Sequence, residues 1–361
     1  MNKTNHDGGR RALLKSLGVA GAGTVAAAML PLSRANAAGA TPISASTSGS
    51  SNGNQPVYAE EYWAQKNGVK LWVYRKNTTP EGAPKAVLFL VHGSSYSSKT
   101  MYDLQVPNRI NYSMMDYFAR LGFDVWTMDH EGYGHSDRTA SFSDIASGVD
   151  DLKAAMAIVT KVTGQRQVAL FGQSSGSLRA AAFTMANPDQ VSSLILDAFV
   201  YTGKGSPALA KRRKMLPNLL KSNVRKVDAA FYSAVFTRDE VGAAEPMISD
   251  MVTEAELKYG DTVPNGTYVD MVTKLPVVDA AKIKCPVLII RGQSDGIALD
   301  ADIIDFYSQL PHPDKQMVKL AGLAHTAMLG VNRERFLWAV QAFLTLPPAI
   351  DIYGKNHPAK A

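Results

Sequence analysis

One cysteine, Cys285, stands in 361 residues, so no intrachain disulfide can form. It precedes Pro286 at the head of an apolar stretch, where a thiol serves as a small buried hydrophobe. Without paired Cys/His spacing there is no zinc-site pattern, and the seven histidines are scattered. No internal repeat is present. The longest apolar stretch near the N-terminus, residues 17–30, has about 14 residues against the roughly 20 a membrane-spanning helix needs. Excess charge is also missing from most of the chain. The formal net charge is +6, but residues 1–37 carry Lys3, Arg10, Arg11, Lys15 and Arg34 against Asp7 alone. That leader holds +4, leaving +2 for everything after it. Such a balance gives no electrostatic footprint for nucleic acid.

The leader itself has a pattern. Gly9-Arg10-Arg11-Ala12-Leu13-Leu14-Lys15 is a twin-arginine motif, a Gly/Ala-rich apolar run follows, and Ala35-Asn36-Ala37 fits a small-residue cleavage site before Ala38. The reading is a cleaved Tat-type signal peptide over 1–37, with the Tat machinery as partner and a periplasmic or secreted destination. An uncleaved membrane anchor is the alternative. Residues 38–56 are rich in Ser, Thr, Gly and Ala, as in a flexible linker.

From residue 57 the pattern changes. Two strand-like stretches, 57–64 and 69–76, flank Lys66-Asn67-Gly68, a hairpin turn signal. Apolar strands then alternate with helical periodicity at 112–121 and 141–163, and 191–200 reads as a further strand. This β-α alternation predicts a mostly parallel sheet covered on both faces. It breaks near residue 201 and resumes near 281. The stretch between, about 201–280, carries Met, Leu, Phe and Lys at helical spacing, which reads as an inserted cap or as extra core helices. Its Met215, Leu216, Leu219, Leu220, Phe231, Phe236, Met247, Ile248 and Met251 predict a mostly apolar roof over any pocket beneath. Lys211-Arg212-Arg213-Lys214 reads as a solvated helix face, with an anion-attracting rim as the alternative.

The most informative residues are Gly172-Gln173-Ser174-Ser175-Gly176, which spell G-x-S-x-G. An apolar run, 167–171, precedes them and an Ala-rich helical segment, 178–186, follows. Strand, tight turn and helix are the setting of a nucleophile elbow, where a strained turn lifts a serine hydroxyl clear of the sheet. Downstream, Val287-Leu288-Ile289-Ile290 ends in Arg291-Gly292-Gln293-Ser294-Asp295, and thirty residues later a strand-and-loop stretch ends in His325. Upstream, 86–91 runs into His92-Gly93-Ser94-Ser95, and the next strand leads through Asp129 to Gly132-Tyr133-Gly134-His135-Ser136.

Together these four spaced motifs resemble the serine α/β-hydrolase superfamily over roughly residues 57–346. The resemblance implies an α/β-hydrolase fold over 57–361: a mostly parallel eight-stranded sheet, helices on both faces, and a helical cap inserted at about 201–280. It implies Ser174 as nucleophile, His325 as general base and Asp295 as the acid that orients it, in the chain order Ser, Asp, His. Asp197 also ends a strand, and some relatives use that position. The oxyanion-hole amides are implied at Ser175 and Ser94, with Ser95 as the alternative to Ser94. His92 is read as ordering its own loop, and Asp129, His130 and His135 as bonding within their turn, with a substrate role for His130 as the alternative. No cofactor or metal is required. The expected activity is hydrolysis of small to medium, mostly apolar carboxylic esters; an amidase, a lactonase or a carbon–carbon bond hydrolase would use the same three residues.

Overall fold

Asn67 and Gly68 both take positive φ, 49° and 86°. Such a turn matches the twist of the strands it joins. The chain therefore reverses in two residues between β1 (Tyr58–Lys66) and β2 (Val69–Asn77), which pair antiparallel from Lys66↔Val69 to Tyr58↔Asn77. The computed structural model describes residues 55–79 and 85–349. The expected leader, 1–37, and nearly all of the expected linker, 38–56, lie outside the described residues.

After the hairpin the chain runs through β3 (Val87–Val91), α1 (Ser98–Tyr102), α2 (Met114–Arg120), β4 (Asp124–Met128), α3 (Ile145–Thr163), β5 (Val168–Gln173), α4 (Ser175–Ala186) and β6 (Val191–Asp197). Then come α5 (Pro207–Leu219), β7 (Val224–Lys226), α6 (Ala229–Thr237), α7 (Pro246–Leu257), β8 (Thr262–Pro264) and α8 (Gly266–Thr273). The chain closes with β9 (Val287–Gly292), α9 (Asp300–Gln309), β10 (Lys315–Leu320) and α10 (Arg333–Leu344). Eight strands form one sheet in the order β1-β2-β4-β3-β5-β6-β9-β10. The first two joins, β1 to β2 and β2 to β4, are antiparallel, and the rest are parallel.

The two faces of this sheet bury separate cores, because strand side chains alternate. On β3, Phe89 and Val91 pack with Leu152 of α3 and Phe183 of α4. Leu88 and Leu90 point the other way and pack with Phe118 of α2 and Phe336 of α10. Every residue of β3, β4, β5 and β9 is buried, as doubly covered parallel strands require. Each fully buried Leu or Phe contributes about 1.5–3 kcal/mol relative to leaving it exposed. The helices carry their own start and stop signals. For α3, the Asp144 carboxylate accepts the Ser147 N–H at 2.8 Å, and Gly164 ends the helix at φ 71°.

The elements α5 to α8 form a cap inserted between β6 and β9, which pair directly beneath it from Leu194↔Val287 to Asp197↔Ile290. The cap is helical as the sequence pattern indicates, but it also holds an antiparallel strand pair, β7 with β8, that the pattern does not reveal. Three-residue strands are too short for a period of two to show.

Candidate active site

Ser174 sits between the end of β5 and the first residue of α4, at φ 57° and ψ −120°. That backbone conformation is sparsely populated for a residue with a Cβ and costs on the order of 1–3 kcal/mol. The surrounding chain enforces it. The Ser174 N–H donates to Asp197 O at 2.9 Å, and the Ser177 hydroxyl bonds to Gly172 O and Asp197 O, both at 2.7 Å. A Cβ at Gly172 would lie 2.5 Å from Gly176 O, and one at Gly176 would collide with the carbonyls of Val91 and His92. The two glycines of the motif are therefore places where strand and helix touch backbone to backbone.

Asp295 lies just past β9 and His325 in the loop after β10; both are buried. His325 Nδ1 is 3.1 Å from Asp295 Oδ2, while Asp295 Oδ1 accepts the N–H groups of Ile297 at 2.8 Å and Ala298 at 3.2 Å. Burial alone would raise the Asp295 pKa, but His325 and these two amides outweigh it and hold the acid below the ordinary carboxylate range. An ionised Asp295 makes Nδ1 the donor, which leaves Nε2 of a neutral ring as the acceptor. His325 lines the same cleft as Ser174, although no hydrogen bond joins the two side chains in this arrangement. Gln173 ties the loop in place by donating to His325 O at 3.1 Å.

The alternative acid behaves differently. Asp197 is 1% exposed at the end of β6, and neither carboxylate oxygen has a hydrogen-bond partner. Burial and the nearby charge of Asp295 raise its pKa well above the ordinary range. It makes no bond to His325, so the structure brings Asp295, not Asp197, to the histidine.

Ser94 and Ser175, the residues expected to supply the oxyanion amides, touch through their hydroxyls. Ser175 opens α4, where a first-turn N–H has no intrahelical acceptor. Ser94 and Ser95 line the cleft in the loop after β3. Ser94 is held from several sides: its Oγ lies 2.5 Å from Ser175 Oγ and 2.7 Å from Thr267 Oγ1, and its carbonyl accepts Tyr133 Oη at 3.0 Å and Arg225 Nη2 at 2.9 Å. His92 orders this loop, with Nδ1 donating to Gly93 O at 2.8 Å and Nε2 accepting the His130 N–H at 3.0 Å. Asp129 and His135 bond within their turn as expected, but Asp129 also accepts from the N–H and hydroxyl of Ser98 at the start of α1, and His130 bonds outside the turn, to Asp151 of α3. His130 is fully buried against Asp151 at 3.0 Å and does not line the cleft. Cys285 is half-buried, and burial pushes its thiol up to about 11. That is the wrong direction for a nucleophile.

The roof of the cleft departs from the expected apolar one. The cleft is lined by Ser94, Ser95, Tyr96, Met101, Gln173, Ser174, Arg212, Val235, Arg238, Tyr268, His325 and Thr326. None of the nine apolar cap residues singled out from the sequence is among them. Met215, Leu220 and Met247 face outward, while Leu219, Phe236 and Ile248 fill the two cores. In Lys211-Arg212-Arg213-Lys214, three residues are exposed as expected, but Arg212 turns inward and is 8% exposed. Helical rotation of about 100° per residue puts one of four consecutive side chains on the inner face, and composition alone does not say which. Tyr268 of α8 lies between two guanidiniums, Arg212 at 3.9 Å and Arg225 at 3.8 Å from its ring centroid. Burial would raise its pKa; Arg212 and Arg225 outweigh that, and the hydroxyl falls to about 7. Arg212 and Tyr268 are functional candidates that sequence reasoning missed.

Asp239, beside the cap helix α6, brings a carboxylate into a group with Asp295 and His325 whose ligand atoms lie within 4.8 Å of one another. Both of its oxygens are already engaged by Arg238, at 2.8 and 2.7 Å. Asp295 is committed to His325 and two amides, so the trio is an ion-paired cluster with few lone pairs free for a metal. Among the described residues no helix is long and apolar enough to cross a membrane.

A G-x-S-x-G elbow at the end of the central strand of a mostly parallel eight-stranded sheet, under a helical cap, defines an α/β-hydrolase of the serine type. More narrowly, the chain belongs to the family described as serine aminopeptidase, S33, whose model matches residues 82–330. Over 146 residues the chain is 32% identical to a 2-hydroxy-6-oxononadienedioate/2-hydroxy-6-oxononatrienedioate hydrolase of Paraburkholderia phymatum, covering 40% of this chain and 44% of that protein. It is 28% identical over 137 residues to a probable lysophospholipase L2 of Haemophilus influenzae, covering 37% and 40%. These matches span less than half the length of either relative. Among solved structures, the epoxide hydrolase VrEH1 of Vigna radiata shares the fold at a TM-score of 0.59, with 16% identity over 79% of this chain and 97% of that one.

Proposed function

We propose that this protein is an exported serine hydrolase that cleaves carboxylic esters of small to medium size through an acyl-enzyme. One observation carries the reading: a strained Ser174 shares a cleft with a histidine whose Nδ1 is bonded to an ionised, buried aspartate. A serine hydroxyl is a poor nucleophile at neutral pH. In the proposed cycle, His325 Nε2 takes the Ser174 proton as Oγ bonds to the ester carbonyl carbon. Asp295 holds the ring in the tautomer this needs and stabilises the imidazolium. The tetrahedral oxyanion is received by the N–H of Ser175 and of Ser94, each worth on the order of 10²–10³ in turnover. His325 then returns the proton to the departing alkoxide, and the alcohol leaves. Water, deprotonated by the same histidine, attacks the acyl carbon and releases the acid and free Ser174. No metal or organic cofactor enters these steps.

The proposed layout is a leader over 1–37, a linker over 38–56 and a hydrolase domain over 57–361 with its cap at about 201–280. The twin-arginine motif at Arg10 and Arg11 supports Tat export to the periplasm or beyond, with no retained anchor. The test of activity is a fluorophosphonate probe together with p-nitrophenyl ester, anilide and lactone substrates. Labelling of wild type at Ser174 with ester turnover supports the reading. Turnover confined to anilides or lactones would make the enzyme an amidase or lactonase with the same three residues.

A further inference from the structure

Arg212 is more than nine-tenths buried, yet no carboxylate among the described residues pairs with it. Its contacts are the thioether of Met271, 3.5 Å from Nη1, and the ring of Tyr268. A thioether is a weak acceptor, and burying a guanidinium away from any carboxylate is costly. The other arginines nearby are differently committed. Arg238 makes a two-pronged pair with Asp239, and Arg225 gives Nη1 to Pro264 O and Nη2 to Ser94 O. Arg212 is thus a buried cation without a carboxylate partner among the described residues, and it lines the same cleft as Ser174 and His325. The local field is strong enough that the adjoining Tyr268 hydroxyl is drawn down to about 7 against the effect of its own burial.

Resting on the hydrolase reading above, we infer that Arg212 is a specificity residue: the enzyme's substrates are small esters that also carry a carboxylate, held by the Arg212 guanidinium while Ser174 attacks the ester a few carbons away. A planar guanidinium matches a carboxylate with two parallel N–H···O bonds, which a lysine in the same place could not reproduce. Because Arg212 and Ser174 line one cleft, a short molecule would reach both groups at once. A role in packing alone would be met by stacking on Tyr268 and would confer no preference for charge.

Two arms separate the side of the ester that bears the carboxylate. Monoethyl glutarate is compared with its neutral isostere ethyl glutaramate, and 4-carboxyphenyl acetate with 4-carbamoylphenyl acetate. Wild type should favour the charged member of at least one pair by tenfold or more in kcat/KM. In Arg212→Met that ratio should fall at least tenfold. Arg213→Met, which removes an exposed charge one residue away, should keep the wild-type ratio and rate. Wild-type ratios near one in both arms, or an unchanged ratio in Arg212→Met, would overturn the inference even if every neutral ester is hydrolysed. Calorimetry on wild type with glutarate and glutaramide reads the same site without any turnover, and so decides the matter if Arg212→Met does not fold. Binding of glutarate at least tenfold tighter than glutaramide supports the site, and equal binding sinks it. Glutarate binding without hydrolysis of any ester would sink the hydrolase reading and leave the anion site standing.

Discussion

Replacing Asp295 by Asn exchanges one oxygen for an amide nitrogen, and the surrounding hydrogen bonds determine the effect. The Asn carbonyl oxygen can still accept from Ile297 and Ala298, at 2.8 and 3.2 Å in the wild type. The amide nitrogen then faces His325 Nδ1, where an acceptor stood at 3.1 Å. An NH₂ donor there stabilises the ring with its proton on Nε2, so the nitrogen facing the cleft has no lone pair to receive the Ser174 proton. The corresponding change in the serine-protease triad costs about 10⁴ in kcat, equal to about 5.4 kcal/mol at 1.36 kcal/mol per decade. We expect a loss of that order in kcat with KM within a fewfold, read with a p-nitrophenyl ester. The variant should also be less stable at neutral pH, because charge-assisted bonds become neutral ones, by about 1–2 kcal/mol. Since the folded-state pKa of Asp295 is depressed, its stabilisation is present above the unfolded carboxylate pKa and is lost as pH falls through the folded one. The stability gap between wild type and variant should therefore close in acid. Activity of Asp295→Asn within tenfold of wild type, with Asp197→Asn falling by a thousandfold, would refute the reasoning and move the acid to Asp197.

Other outcomes rest on the same geometry. Ser174→Ala should fold, resist fluorophosphonate labelling and lose at least about 10⁴ in kcat; labelling at the wild-type level would refute the nucleophile. Ser174→Gly should be equally inactive but more stable than Ser174→Ala by about 1 kcal/mol in urea unfolding, since glycine accepts the strained backbone. Asp197 has a raised folded-state pKa, so it costs stability once pH exceeds the unfolded carboxylate pKa, and that cost grows until the folded pKa is passed. Asp197→Asn should thus melt higher than wild type at pH 7 by a margin that vanishes near pH 4, while retaining activity within about threefold; a margin that widens in acid would contradict this. Lys at both Arg10 and Arg11 should keep the precursor in the cytoplasm, and N-terminal sequencing of exported protein should begin near Ala38. Recovery of a mature chain that still carries residues 1–37 would favour an anchor.

The sheet and the candidate site residues were legible for one reason. Each is tied to a strand end, and a buried parallel strand is written as a short apolar run that stops where the loop begins. Ser174 and Asp295 each come directly after such a run, while His325 follows β10, a half-exposed edge strand with two lysines, and is marked only by its strand-and-loop stretch. Strand ends alone do not rank Asp197 against Asp295, since both end strands; in the structure the difference is the bond of Asp295 to His325, thirty residues on, which Asp197 lacks. The cap was legible as helical but not as a surface. Apolar spacing marks an inner face without saying what it faces, and Met215, Leu219 and Phe236 serve the outside or the two cores rather than the cleft. Arg212 lay hidden in a basic run because its three neighbours obey the usual rule for charge. Tyr268 has no local signal at all, since its perturbation comes from arginines at positions 212 and 225 brought together only by the fold.

The grip on Ser94 has a consequence for anyone recombining such enzymes. Its carbonyl is bound by Arg225 and its hydroxyl by Thr267, both cap residues, and the cap is otherwise the obvious module to exchange between relatives. A chimera that brings in a foreign cap loses both clamps unless it carries an arginine and a threonine at matching places. Its loop after β3 would then keep only the holds of Tyr133 and Ser175, and the proposed oxyanion donor would be less firmly placed. Such hybrids should bind new substrates yet turn over slowly, and transplanting Arg225 and Thr267 along with the new roof should restore the rate.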